Sequence, residues 1–324
     1  MRFVIYGAGA VGGAIAGRLV ARGAEVVLIA RGAQAAVLRE RGLAIITPGG
    51  TATVRPPAVV EHPREVAWTG DEVVILAMKS QDTEPALDAL AACAPPSIDV
   101  ACAQNGIANE RAALRRFARV VGMYAWMPAE YVEPGVVRIY CAPHDGILDV
   151  GRYPRGADER VESIAAAFDG TPFESVARPD IMAWKHRKLL WNLGNAVDAA
   201  CGGITTDAAR ELDRRAIAEG TAAIAAAGLE VISLEEETAR RGDRFPILPI
   251  DGARRPGGSS WQSLERGAGS IEADHLNGEV VLLGRLHGVP TPVNELLQRT
   301  ANELARAHRP PGSADAADLL RRLG

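Results

Sequence analysis

The chain predicts an α/β protein in which an N-terminal doubly wound parallel sheet is followed by an all-helical domain. Three observations carry that prediction. Short apolar runs alternate with helical patterns through the first half, the signature of successive βαβ units. Near Arg178 the texture changes to long helical runs rich in Ala, Leu, Arg and Glu. The 324 residues also exceed what one hydrophobic core usually serves. The expected domains are 1–173 and 174–324.

In chain order, strands are expected at Arg2–Tyr6, Glu25–Ile29, Glu72–Ala77 and Ile98–Cys102, followed respectively by helices at Val11–Ala21, Ala33–Arg41, Thr83–Cys93 and Asn109–Phe117. Val136–Tyr140 and Gly146–Val150 read as strands, Asp158–Phe168 as a helix and Phe173–Val176 as a last strand. The second domain should hold helices at Ile181–Ala199, Asp207–Ala227, Ile271–Leu286 and Pro292–Ala307. Arg309-Pro310-Pro311-Gly312 ends the last of these and releases a terminal helix at Asp315–Leu323.

Composition narrows the function. The formal charge is only −4, and Lys and Arg are scattered among Asp and Glu, which argues against a nucleic-acid partner and for a small molecule. Cys93, Cys102, Cys141 and Cys201 lie far apart without Cys-x-x-Cys pairs or nearby His, so buried free thiols in a reducing compartment are expected, and no metal site. No apolar run approaches a membrane span or a signal h-region, so a cytoplasmic protein is expected.

The first strand runs straight into Gly7-Ala8-Gly9-Ala10-Val11-Gly12 and then a helix, the context in which Gly-x-Gly-x-x-Gly marks a Rossmann-type dinucleotide site. Gly7 permits the tight turn, Gly9 lets backbone approach a pyrophosphate, and Gly12 allows close helix–strand packing. The helix beginning near Ala10 directs its free N–H groups at the phosphates. After the second strand, where an NAD enzyme places an acid on the ribose 2′-hydroxyl, stands Ala30-Arg31. An arginine suits a 2′-phosphate, so NADPH is favoured over NADH.

Ligands of open α/β sheets bind beyond the carboxyl ends of the strands, which singles out Lys79 and the Asn105-Gly106 pair. Read alone, each is better taken as a surface lysine and an ordinary turn; their equivalent positions after two strands of one sheet shift the balance toward a site. In the helical half Lys188, Asn192 and Asn195 stand at i, i+4 and i+7; at 100° per residue they fall at roughly 0°, 40° and −20°, one helical face. A lysine and two amides in line could polarise a carbonyl, or form a solvated stripe. The bulky Leu189, Leu190, Trp191 and Leu193 around them must be buried, which favours a functional face. Further on, Ser259 and Ser260 could cap a helix and Glu272 could favour a first turn, or both could serve a site.

Together these residues resemble the ketopantoate reductase family over nearly the whole chain. The carriers are the Gly7–Gly12 loop, Arg31, Lys79 in Met78-Lys79-Ser80-Gln81-Asp82-Thr83, Gln104-Asn105-Gly106, Lys188-Leu189-x-x-Asn192, Ser259-Ser260, and Glu272-x-Asp274-x-x-Asn277-Gly278. The resemblance implies NADPH-dependent reduction of a small anionic 2-oxo acid, ketopantoate foremost, toward pantothenate. It implies Lys188 as proton donor to the carbonyl oxygen, Glu272 as its acidic partner, Ser260 on the substrate carboxylate, and Asn192 on the substrate. It also implies Lys79 and Asn105 at the nicotinamide ribose and the reacting centre. Asn195 is carried as a further substrate amide; the sequence leaves the oligomeric state open, with a homodimer as one candidate. With hydride and lysine so placed, the active site is expected in an interdomain cleft.

Three positions depart from the family pattern. Ala196 stands where a second amide is usual, with Asn195 one step earlier; His186 stands at the usual tryptophan, with Trp184 two places before; and Gly257 replaces an often polar residue. These leave the choice of 2-oxo acid open. Two other readings are a dehydrogenase of the same plan for a different hydroxy acid or polyol phosphate, and an NADP(H)-binding sensor without turnover.

Overall fold

A computed structural model describes residues 1–324, which group into two compact units. The first comprises Met1–Gln104, Asn109–Met182 and Leu234–Arg255; the second comprises Asn105–Ala108, Ala183–Ser233 and Pro256–Gly324. Each unit is assembled from separated stretches, unlike the consecutive spans 1–173 and 174–324.

The strands are β1 (Arg2–Tyr6), β2 (Val26–Ile29), β3 (Leu43–Thr47), β4 (Gly50–Val54), β5 (Ala58–Val60), β6 (Glu72–Leu76), β7 (Asp99–Cys102), β8 (Arg119–Trp126), β9 (Ala129–Glu133), β10 (Val136–Ile139), β11 (Gly146–Arg152) and β12 (Phe173–Glu174). Eight form the main sheet in the order β12-β11-β8-β7-β6-β1-β2-β5, every pair parallel except β11 with β8. The central strands are buried on both faces, which is why they read as continuous apolar runs rather than alternating ones. On one face Val4, Val74, Leu76 and Val100 join Leu87, Leu90 and Phe117 in a single core.

The helices are α1 (Ala10–Ala21), α2 (Gly32–Glu40), α3 (Thr83–Ala91), α4 (Ala108–Leu114), α5 (Glu159–Ala166), α6 (Ile181–Asn192), α7 (Gly194–Cys201), α8 (Asp207–Ala226), α9 (Leu234–Arg241), α10 (Ser259–Glu265), α11 (Asn277–His287), α12 (Pro292–Arg306) and α13 (Ala316–Arg321). A second sheet, β4-β3-β10-β9, lies against α1 and is not foreshadowed in the sequence reading. Val136–Tyr140, expected beside the other strands, belongs to it. Its close approach depends on small residues along α1: a side chain at Gly17 would collide with Ile45, and one at Gly13 would stand 2.9 Å from Val137.

The helical half is interrupted as well. After α8 the chain returns to the first unit for Leu234–Arg255, and the cause is electrostatic. Asp149 on β11 is fully buried and receives Arg178 at 2.6 Å and Arg240, from the end of α9, at 2.7 and 2.9 Å. A buried carboxylate needs such partners to be tolerated. Alongside it, the buried Tyr124 hydroxyl donates to Glu237 at 3.0 Å, and Leu248 N–H donates to the Tyr140 carbonyl at 2.9 Å.

In the second unit the expected helix Ile181–Ala199 divides at Leu193. Asn277 Nδ2 donates to the Leu193 carbonyl at 3.2 Å and to Asn294 Oδ1 at 3.0 Å, while Glu219 accepts from the amides of Val293 and Asn294. This buried network ties the α6–α7 junction to α8, α11 and α12. Next to the break, a side chain at Gly194 would collide with the Asp213 carboxylate of α8. The terminal helix α13 is tied down through Gly312 and Ala314, whose amides donate to Ala199 and Ala200 of α7. All four cysteines are unpaired; Cys102 and Cys141 are buried, whereas Cys93 and Cys201 are half-exposed rather than buried.

Glu72 opens β6 opposite Arg2 and is fully buried. Burial alone would raise its carboxyl pKa, but the hydroxyl and amide of Thr69, the Arg2 guanidinium at 2.5 Å and the Gly70 amide outweigh burial and hold it at about 2. A carboxyl depressed in the folded state stabilises above its unfolded pKa, and that contribution disappears as pH falls through the folded value. Glu72→Gln should therefore lower the urea midpoint at pH 7, with the gap to wild type closing between about pH 4 and pH 2. A gap that does not change over that range would remove Glu72 from this role.

Candidate functional site

In the first unit the expected cofactor residues follow three adjacent parallel strands, β6-β1-β2. Gly7 leaves β1 with φ +105°, a region that favours glycine, and a Cβ there would stand 2.8 Å from Met78 N. Its own amide donates to the Ile29 carbonyl at 3.1 Å. A Cβ on Gly12 would collide with the Gly7 carbonyl and stand 2.9 Å from the Ala77 side chain. Gly9 differs from both: it has extended backbone angles and a Cβ would meet nothing within 4 Å. Gly7 and Gly12 thus hold the loop against the protein, and Gly9 faces open space. Ala10 and Val11 form the first turn of α1, whose N-cap Gly9 offers no side chain to its N–H groups. This is the cradle a pyrophosphate requires.

Gln34 is a further member of this loop that the sequence reading missed. From α2 it donates Nε2–H to the Ala8 carbonyl at 2.7 Å and accepts from Gly135 N–H at 2.7 Å, so it braces the loop against the β9–β10 turn. Its position three residues after Arg31 was visible, but its partner lies about a hundred residues away in sequence.

Arg31 is exposed at the N-cap of α2, two residues past the end of β2. Close by is Glu61, just past β5. It accepts from Gly32 N–H at 3.4 Å and Arg39 at 2.9 Å. The Arg39 and Gly32 hydrogen bonds hold its carboxyl below the usual range. A carboxylate thus stands at the start of α2, brought there from the neighbouring strand. Lys79 is half-buried at the N-cap of a 3₁₀ turn, Ser80–Asp82, after β6.

The other expected residues lie in the second unit. Asn105 is half-buried in a turn that packs against the 3₁₀ turn Glu272–His275: a Cβ on Gly106, at φ +78°, would stand 2.8 Å from the His275 carbonyl. The structure therefore brings the Asn105 and Glu272 turns together. Glu272 is buried at 3% exposure, which sets it apart from a solvated first-turn acid.

Lys188 and Asn192 lie one turn apart on α6, both half-buried. Asn195 falls beyond the break, in α7, so the angular estimate that grouped it with Lys188 does not apply across Leu193. Its amide stands instead by the start of α10, where a Cβ on Gly258 would lie 3.1 Å from Asn195 Oδ1. Gly258 caps α10 and donates its amide to Asp198 at 2.8 Å. Neither serine is therefore the cap; Ser259 and Ser260 are the first helical residues, and Ser260 is buried.

The departures have local causes. Trp261 packs its ring 2.6 Å from where a Gly257 Cβ would be, leaving no room for a larger residue. His186 is buried and bonds through Nδ1 to the Glu230 carbonyl at 2.6 Å; since a carbonyl only accepts, Nδ1 carries the proton. Burial holds its pKa below the ordinary value, so the ring is neutral at pH 7.

The family model described as ketopantoate reductase PanE/ApbA matches residues 3–154, and its C-terminal counterpart matches residues 180–305. The chain is 30% identical over 307 residues to the 2-dehydropantoate 2-reductase of Halobacterium salinarum, covering 90% of this chain and 95% of that one. The crystal structure of a PanE/ApbA family ketopantoate reductase from Ralstonia eutropha is similar at a TM-score of 0.78 and 27% identity, covering 95% of this chain and 99% of that one. A D-mandelate dehydrogenase solved with NADH and anilino(oxo)acetate shares the fold at a TM-score of 0.79 and 21% identity, over 95% and 99% of the two chains. No helix of this chain is long and apolar enough to cross a membrane. With both family models matched and a curated relative aligned over nearly all its length, the chain belongs to the ketopantoate reductase family, oxidoreductases acting on a CH–OH group.

Proposed function

We propose that this protein uses NADPH to reduce a small 2-oxo acid to its 2-hydroxy acid, and that the acid is ketopantoate, reduced to pantoate on the way to pantothenate. The observation that carries the reading is the glycine loop, closed against protein at Gly7 and Gly12 and open at Gly9, in a chain of this family. Residues 1–173 would hold the dinucleotide and 174–324 the substrate.

Gly7, Ala8, Gly9, Ala10, Val11 and Gly12 cradle the pyrophosphate, Arg31 pairs with the 2′-phosphate, and Lys79 and Asn105 face the nicotinamide ribose and the reacting centre. When bound, the dinucleotide supplies a hydride to the carbonyl carbon. Lys188 gives its Nζ proton to the carbonyl oxygen as negative charge gathers there, stabilising the transition state more than the ground state. Glu272 orients that ammonium and the new hydroxyl. Ser260 holds the substrate carboxylate, and the amides of Asn192 and Asn195 contact the rest of the substrate.

One observation favours a second cofactor reading. Glu61 sets a carboxylate at the start of α2 beside Arg31, which would repel a 2′-phosphate and accept a ribose hydroxyl, as NADH presents. Arg31→Asp should move cofactor preference toward NADH; an unchanged NADPH to NADH ratio of kcat/KM would show that Arg31 does not read the phosphate.

The direct test follows NADPH oxidation with ketopantoate and a panel of other 2-oxo acids. Turnover is expected with ketopantoate fastest; tight NADPH binding without turnover would mark a sensor instead. Lys188→Met should cut kcat by about a hundredfold or more while NADPH affinity survives, the scale of losing a general acid, and near-normal turnover would dismiss Lys188 as proton donor. Gly9→Ala should leave thermal stability nearly intact but weaken NADPH binding roughly ten- to hundredfold, the cost of a methyl in a close contact. Gly12→Ala should instead destabilise the fold by about 2–3 kcal/mol. Equal effects of the two on melting and binding would contradict the assigned geometry.

A further inference from the structure

We propose that Thr83 is a positioning residue for the reduction, the joint of a buried hydrogen-bonded chain that holds the loops bearing Lys79 and Asn105 in register. The proposal rests on the reading that those two residues face the cofactor and the reacting centre.

Strands β6 and β7 are parallel neighbours whose last residues, Leu76 and Cys102, are partners in register. Just beyond them the Ala103 amide donates to the Leu76 carbonyl at 3.0 Å. From there the two loops diverge, one through Lys79 to α3 and one through Asn105 to α4. What bridges them is made of side chains. Gln104 Nε2–H donates to Thr83 Oγ1 at 2.6 Å, Thr83 Oγ1–H donates to Asn109 Oδ1 at 2.8 Å, and Asn109 Nδ2–H donates to Ser80 Oγ at 3.1 Å. All four residues are at most 5% exposed. Ser80 directly follows Lys79, and Gln104 directly precedes Asn105.

The bonds run one way along the chain because the threonine hydroxyl carries a single proton: one neighbour accepts it and the other must donate. By giving it to Asn109 Oδ1, Thr83 leaves its lone pairs for Gln104, and Asn109 then turns its amide nitrogen toward Ser80. One hydroxyl therefore orients three polar side chains on two loops. Where water is scarce, side chains bonded in this way are held rigidly, and breaking one bond strands groups that have been desolvated. A stability role alone would be served by apolar packing in the same space. A polar chain instead sets angles, and hydride transfer is sensitive to displacements of about 1 Å.

The test compares wild type with Thr83→Val, which keeps the shape and deletes the hydroxyl, and with Thr83→Ser, which restores the hydroxyl. The readouts are kcat and both KM values for NADPH and ketopantoate, the primary isotope effect with NADPH deuterated at C4, and the melting temperature. For Thr83→Val we expect kcat about tenfold lower, the scale of one buried hydrogen bond, with a larger isotope effect and melting within a few degrees of wild type. Thr83→Ser should return both kinetic values to wild type.

Kinetic constants and isotope effect within twofold of wild type in Thr83→Val would overturn the proposal, as would equal impairment of Val and Ser. If Thr83→Val does not fold, Gln104→Met removes the donor at one end of the chain, and the same two outcomes decide. If wild type reduces no 2-oxo acid, it is the functional reading that fails. The network is then judged by NADPH fluorescence titration: binding about tenfold weaker in Thr83→Val sustains it, and unchanged binding refutes it.

Discussion

Helix α1 is wedged between two sheets, and much of the first unit follows from that wedge. The main sheet approaches so closely at Gly12 that the Gly7 carbonyl occupies the space of a side chain, and the second sheet presses Ile45 onto Gly17. A helix in this position needs small residues at its closest contacts, and α1 has them in Gly12, Gly13 and Gly17, with the larger Ile15 and Leu19 buried elsewhere along it. Because the helix cannot slide or rotate without collision, its N-terminus is fixed relative to the ends of β1, β2 and β6. The shape of the loop proposed to hold a pyrophosphate thus comes from packing as much as from the loop's own sequence.

Polar bonds extend this rigidity to parts that apolar packing does not reach. Gln34 holds the Ala8 carbonyl, the chain from Gln104 to Ser80 holds the two loops beyond β6 and β7, and Asn277 holds the α6–α7 junction. In each case a side-chain amide, half-buried at Gln34 and buried at the other two, spans elements separated in sequence. Buried groups of this kind are costly when unpaired, so each acts as a constraint with one good solution. The reactive groups proposed for this enzyme sit next to such constraints rather than within them.

How much of this was legible in the sequence depended on the range of the cause. The glycine loop, Arg31 and the central strands were readable because turn geometry and burial on two faces leave local signatures. The second sheet was not, since β3 finds its parallel partner β10 some ninety residues later, although Thr47-Pro48-Gly49-Gly50 does carry a turn signal between β3 and β4. The break at Leu193 is marked locally only by Gly194, and the group that takes the freed Leu193 carbonyl, Asn277, lies 84 residues away. The serines before α10 looked like caps, and only the Asp198 carboxylate on the Gly258 amide shows that the cap lies one residue earlier. Asn105 was picked out by its place after a strand, but its alliance with the Glu272 turn depends on the Gly106 contact with His275.

The excursion Leu234–Arg255 carries a consequence for biosynthesis. The backbone passes from one unit to the other after residues 104, 108, 182, 233 and 255, so neither unit exists as a contiguous stretch of message. When β11 emerges from the ribosome, Asp149 has Arg178 within about thirty residues but must wait for Arg240, 91 residues further on. Until then its carboxylate is short of half its counter-charge, and the sheet around it is incompletely neutralised. The first half of the chain can collapse early, but it cannot reach its final state before most of the second half has been made. Gene fragments cut at the apparent domain boundary would therefore yield two unfinished products.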